Sequence, residues 1–206
     1  MRKQALTSSE MTNSDLTERV EQRKPDKRTR LVEGARLVLH QQGVEKTTLA
    51  DIAEAADVPV GNVYYYFKTK DDLVRAVIDA HGRDIESILA SLDRHRTPKA
   101  RLKALVRALA DQGELAARFG CPHGTLCSEL DKRDDDLAGA GVRLMELSID
   151  WPEKQFREMG RRDARDLAVA MIASYQGISL LTNTFRDPEL MRRESRRLER
   201  WIDSLD

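Results

Sequence analysis

The chain has 206 residues, 40% of them hydrophobic and 5% aromatic, with 35 Lys plus Arg set against 35 Asp plus Glu. That length can bury a substantial core as one helical domain or as a small domain plus a larger one. No stretch of about 18 apolar residues and no apolar leader is present, which excludes a helical membrane span and a signal peptide and gives a cytoplasmic expectation.

A charged fraction of 34%, abundant Ala, Leu and Arg, and scarce β-branched alternation predict an all-α protein. Residues 1–24 are polar, rich in Ser and Thr, and lack a sustained apolar face, so the expectation is a disordered arm. A basic arm using Arg19, Arg23 and Lys24 on phosphates or in a minor groove is the open alternative. Pro25-Asp26 then opens a helix with Leu31, Ala35, Val38 and Leu39 on one face, ended by Gly43.

The stretch from Thr47 to Lys70, TTLADIAEAADVPVGNVYYYFKTK, holds two short helical patterns back to back. Thr48 and Asp51 form a capping-box start, and Leu49, Ile52, Ala53 and Ala56 recur at helical spacing. Pro59 suits the first position of a second helix. Setting Val63 inward brings Phe67 and Val60 to the same side and turns Gly61 and Tyr65 outward, with Asn62 and Tyr64 on the flanks. Three adjacent tyrosines cannot all face a core, because successive helical residues spread around the axis. The outward set suits a major-groove reader: Gly61 permits close backbone approach, Asn62 can bond a base edge, and the phenols can donate to phosphates. Lys70 is placed to add a phosphate contact, beside a second capping box made by Thr69 and Asp72. From Arg19 to Lys70 there are ten Lys or Arg and seven Asp or Glu, against 23 and 25 from Asp71 onward, a modest basic bias in the reader.

Residues from about Thr29 to Leu73 resemble the N-terminal domain of the TetR family of transcriptional regulators. The shared pattern is a helix ending in Gly43, a Thr-Thr start, an Ile-Ala-x-Ala-Ala core and Gly-x-x-Tyr-x-Tyr-Phe-x-x-Lys. The resemblance implies DNA contacts at Thr48, Gly61, Asn62, Tyr64, Tyr65 and Lys70. Pro59 joins this candidate set, although Pro59-Val60-Gly61 stands where many relatives carry Ser-Lys-Gly, so one basic contact is missing.

Beyond the reader, Asp72 to about Leu92 predicts a long helix with Leu73, Val77, Ala80, Ile85, Ile88 and Leu92 inward and Gly82 as a soft point. Thr97-Pro98 restarts a helix carrying Leu102, Leu105, Val106, Leu109, Ala116 and Phe119. FGCPHGTLCSE, residues 119–129, breaks the pattern and reads as a cavity-lining loop. Cys121, His123 and Cys127 lack a fourth ligand for zinc, so no metal is expected; a thiol switch stays open if the two cysteines meet across a turn. The next helix carries Val142, Met145 and Ile149 and is expected to kink at Trp151-Pro152. An apolar ligand cavity is placed among Phe119, Cys121, Leu126, Met145, Trp151, Phe156, Met171 and Tyr175. From Arg162 to Phe185 the apolar stripe covers two sides of a helix, and Asp187-Pro188 starts a last helix with an arginine-lined back. Ala168, Met171, Tyr175, Ile178, Thr182, Phe185, Leu198, Trp201 and Ile202 are the expected dimer interface.

These elements predict an N-terminal three-helix helix-turn-helix domain at 25–70 and a C-terminal ligand-binding and dimerisation domain at 71–206. The expected function is a homodimeric repressor of a palindromic double-stranded DNA operator, released by a small-molecule effector, with no cofactor. A regulator switched by thiols or electrophiles at Cys121 and Cys127 is the alternative. An enzyme using Cys121 with His123, or a protein-binding module without DNA affinity, remains a remote one, since no phosphate loop or dinucleotide fingerprint is present.

Overall fold

The computed structural model describes residues 25–205, so the predicted N-terminal arm lies outside the described residues. Those residues are helical, without a strand. Helix α1 is Lys27–Lys46, α2 Leu49–Ala55, α3 Val60–Tyr66, α4 Lys70–Leu92 and α5 Pro98–Ala110. They are followed by α6 Gly113–Phe119, α7 Pro122–Leu130, α8 Asp136–Glu158, α9 Ala164–Phe185 and α10 Pro188–Asp203.

Local chemistry sets most of these boundaries. Asp26 caps α1 by accepting from the Thr29 amide, and reciprocal capping boxes start α2 (Thr48, Asp51) and α4 (Thr69, Asp72). Gly43 bends the end of α1 at φ 83°, a left-handed value that glycine adopts without Cβ strain. Pro98, Pro122 and Pro188 occupy the first turns of α5, α7 and α10, where a missing N–H costs nothing.

Two expectations change. The helix expected from Pro98 through Phe119 divides into α5 and α6 across Asp111 and Gln112. The stretch read as a loop, residues 119–129, contains a full helix: Gly120 at φ 80° ends α6, and Cys121 caps α7 with its sulfur accepting from the Gly124 amide at 3.4 Å. The Gly-Cys-Pro run is therefore a joint between two helices, since Pro122 is better at starting a helix than at preventing one. Helix α8 includes Pro152, which is buried together with Phe156.

One contiguous apolar cluster runs from Leu31 of α1 through α4 and α8 to Ile202 of α10. Helix α8 packs on α4, α5, α7 and α9, while α1 packs on α2, α4 and α7. Leu73, Val74 and Val77 on α4 are fully buried, and Ile85 and Leu89 continue its inner face further along. Gly82 faces Leu147 of α8, whose Cδ1 would lie 3.6 Å from any added Cβ. An added methyl group would make an ordinary contact there, and the helix runs unbroken through Gly82. The reader is consequently mounted on a rigid rod that also belongs to the C-terminal core.

Candidate nucleic-acid interface and effector cavities

Helices α2 and α3 meet through a turn in which Asp57 adopts the left-handed conformation at φ 52°, and its carboxylate accepts from Arg30 of α1 at 3.1 Å. Gly34 of α1 lies against this corner, where an added Cβ would stand 3.0 Å from the Ala56 nitrogen. The close approach seats α2 beside α1. Val63 and Phe67 are buried, and the guanidinium of Arg28 stands 5.3 Å above the Phe67 ring. These contacts anchor a helix of seven residues, too short to persist unaided.

The opposite side of α3 faces solvent. Tyr64 is 54% exposed and Tyr65 78%, and an added Cβ at Gly61 would meet nothing within 4 Å. Thr48 and Pro59 are exposed at the starts of α2 and α3, and Asn62 is half-buried. Pro59 is the residue preceding the helix rather than its first member. Val60, expected inward with Val63, is instead 47% exposed, because its position at the very start of α3 lies beyond the reach of the core.

Lys70 differs from expectation more sharply. Its ammonium donates to the carbonyls of Val44 at 2.9 Å, Thr47 at 3.1 Å and Glu45 at 3.4 Å. Those bonds occupy all three donors and satisfy the carbonyls that the bend at Gly43 leaves open, so Lys70 braces the reader from within. Lys68, passed over in the sequence, is exposed immediately after α3 and spends one donor on the Tyr64 carbonyl at 3.0 Å. Two donors remain for a phosphate.

The turn after Gly43 is also held from the C-terminal side. The Val44 amide donates to the Glu129 carboxylate of α7 at 2.7 Å, and His40 Nε2 donates to the Gly120 carbonyl at 3.0 Å. Glu129 carries no sequence signal of this role, since it lies 85 residues away.

The eight residues expected around one ligand cavity do not converge. Cys121 lines a cavity of about 360 Å3 between α7 and α9. Tyr175 lines two others: one of about 280 Å3 with Arg36, His40 and His81, and an apolar one of about 70 Å3 with Ile85, Leu89, Leu105, Leu109 and Ile172. Phe119, Leu126, Met145, Trp151, Phe156 and Met171 line none of these three. Phe156 and Met171 are fully buried core. Phe156 packs edge-on against Trp201 of α10, while the Trp151 indole donates to Asp93 at 3.3 Å. A stripe at helical spacing cannot tell core from cavity wall, because both bury the same residue types.

His81 and His123 stack edge to face at 4.7 Å between centroids. Burial, followed by the neighbouring His123, holds His81 down to about 3; burial, followed by Arg36, holds His123 down to about 4. Both imidazoles are neutral near neutral pH, and His81 Nδ1 is buried without a partner.

The cysteines do not form a pair. Six residues apart on one helix, they are separated by roughly 9 Å along its axis and point to different sides, so a disulfide would require α7 to unwind. Burial raises the Cys127 thiol to about 11, and its S–H donates to the Gly141 carbonyl at 3.4 Å. Cys121 is the more buried of the two, and its sulfur accepts from the Gly124 N–H and the Gln176 amide.

The expected dimer residues also divide. Ala168, Met171, Tyr175 and Thr182 of α9, with Leu198 and Ile202 of α10, are buried within their own chain. Ile178 and Trp201 are half-buried, and Phe185 is 66% exposed. The outward apolar stripe of α9 is Val169, Leu180, Leu181 and Phe185, with Ala173 and Gly177 between them. Helix α9 therefore has one apolar side buried in its own chain and a second one exposed.

The family model described as "Bacterial regulatory proteins, tetR family" matches residues 31–77, the segment that forms α1 to the middle of α4. An HTH-type transcriptional regulator in the lacX 3′ region of Lactococcus lactis is 28% identical over 159 residues, 73% of this chain and 80% of that protein. The transcriptional regulator AcuR of Cereibacter sphaeroides is 32% identical over 124 residues, 58% of this chain, and the match spans 56% of AcuR. A crystal structure of the regulatory protein TetR from Rhodobacter sphaeroides superposes with a TM-score of 0.74 at 26% identity, covering 84% of this chain and 96% of that one. These relatives are regulators rather than enzymes, and the match continues past the reader into the helical remainder. Residues 31–77 therefore match the N-terminal domain of the TetR family of transcriptional regulators, with α2 and α3 as its helix-turn-helix, and the chain as a whole has the fold of a solved TetR regulator.

Proposed function

We infer that this chain is a cytoplasmic, homodimeric repressor that reads a palindromic operator through α3 and is released by a small molecule held in its C-terminal helices. The observation that carries the DNA reading is the solvent side of α3, where Gly61, Tyr64 and Tyr65 stand free while Val63 and Phe67 fix the helix behind them. Exposed aromatics on a helix with a rigid mounting have no use in the monomer. No helix among the described residues is long and apolar enough to cross a membrane, in keeping with a DNA-bound role.

Dimerisation is supported by the outward stripe of α9, whose small central residues permit two helices to approach closely. Two readers about 34 Å apart enter successive major grooves, so two weak half-sites combine. Gel retardation of the DNA upstream of its own gene tests the reading. Binding is expected to weaken steeply with salt and to fall in Tyr65→Ala and Asn62→Ala; salt-insensitive binding, or none, refutes it.

A thiol-switched regulator is the second reading, and Cys121 favours it: its sulfur caps α7 and faces a cavity. Loss of oxidant response in Cys121→Ser, with Cys127→Ser unaffected, is the expected pattern. An unchanged response in Cys121→Ser removes this reading.

A further inference from the structure

The cavity between α7 and α9, at about 360 Å3, is large enough for a small organic ligand. Its lining includes Thr125, Ser128, Glu129, Gln176, Ser179 and Asn183. Ser179 is 1% exposed, and its hydroxyl is buried with no hydrogen-bond partner. A buried polar group left unpaired is costly unless something else pairs it.

The remaining polar groups have one bias. Gln176 and Asn183 each place one amide N–H on a protein partner, the Cys121 sulfur and the Ala117 carbonyl, and their carbonyl oxygens remain as acceptors. Glu129 is the one formally charged residue in the lining, and its carboxylate meets the Val44 amide rather than a cation. A single carboxylate with no cation on it, set among amide and hydroxyl oxygens that can accept, favours a ligand that donates and carries positive charge.

We propose that this cavity binds a small protonated amine, which competes with the Val44 amide for the Glu129 carboxylate and so loosens the turn that positions α2 and α3. This rests on the reading of the chain as an effector-controlled regulator and names the effector's chemical class. The route is short. Glu129 holds Val44, Lys70 holds the carbonyls of the same turn, and α2 begins two residues after Thr47. A shift of the carboxylate towards an ammonium group removes one side of that clamp. Leu180, 65% exposed, rims the mouth and belongs to the outward stripe of α9, so a second copy would roof the site.

Calorimetric titration of the full chain with putrescine, and with butanediol as its uncharged counterpart, tests the assignment. Putrescine is expected to bind about tenfold or more tightly than butanediol. Glu129→Gln is expected to lose that preference, because the amide carries no charge for the ammonium group to meet. Ser179→Ala is expected to weaken putrescine several-fold without lowering the Tm, since its hydroxyl makes no bond in the free protein. Equal affinity for diamine and diol, no heat from putrescine, or undiminished binding in Glu129→Gln overturns the proposal. Retarded DNA that putrescine does not release fails the coupling alone. Putrescine binding without DNA retardation under any salt condition fails the regulatory reading and leaves the site standing.

Discussion

Tyr65 and Lys70 are both polar residues of the reader, and their substitutions are expected to fail in different ways. Tyr65 is exposed and distant from the core, so Tyr65→Ala is expected to move stability by no more than about 0.5 kcal/mol while lowering operator affinity. Lys70→Ala leaves three carbonyls without their donor and is expected to cost about 1–3 kcal/mol, so its loss of DNA binding accompanies a lower Tm. Thermal unfolding beside gel retardation separates the two. The histidines give a pH dependence. With His81 held to about 3 against an ordinary 6.5, the unfolded chain binds more protons between those values, so stability rises with pH across that window. Stability is therefore expected to fall on acidification below about 6.5, at up to about 1.4 kcal/mol per pH unit for each buried imidazole. Urea midpoints measured against pH are expected to show a shallower acid limb in His81→Leu.

At the scale of elements, α3 and the bend after α1 carry opposite glycine predictions. Gly61 has open space around it and helical neighbours, so Gly61→Ala is expected to stabilise the fold by up to about 1 kcal/mol. The same methyl group projects from the DNA-facing side and is expected to weaken operator binding. A variant with higher Tm and lower affinity would place this position on the interface. Gly43 is the reverse case: φ is 83°, and an added Cβ would stand 2.7 Å from a Glu129 oxygen. Gly43→Ala is expected to lose about 1–3 kcal/mol, read as a lower Tm, and to disturb the reader by pushing Glu129 off Val44. The caps, the prolines and the positive-φ glycine that bound these helices are all local signals, and they were legible in the chain. Helix α7 was not, because Gly120, Pro122 and Gly124 resemble a loop until Pro122 is recognised as a first-turn residue.

For the whole molecule, the exposed side of α9 decides assembly. Leu181→Glu or Phe185→Glu introduces charge on the outward stripe without touching the buried residues of the same helix. Either variant is expected to sediment as a monomer with its helical content retained, and to lose most operator affinity because only one half-site remains engaged. Unchanged dimerisation in both would remove α9 as the interface. The placement of α4 explains how events among α7 to α9 reach the reader: it packs both on α8 and on α1, against which α2 sits.

The all-α class, the helix-turn-helix, its exposed tyrosines and the two-sided character of α9 followed from the sequence alone. Each rests on spacing within a single helix or on a cap a few residues away. The tertiary structure alone decided that Lys70 faces inward, that Glu129 of α7 grips the turn after Gly43, that the expected pocket residues are largely core, and which side of α9 is free. Those assignments depend on partners tens of residues distant, and helical periodicity specifies that a face is buried without specifying what it is buried against.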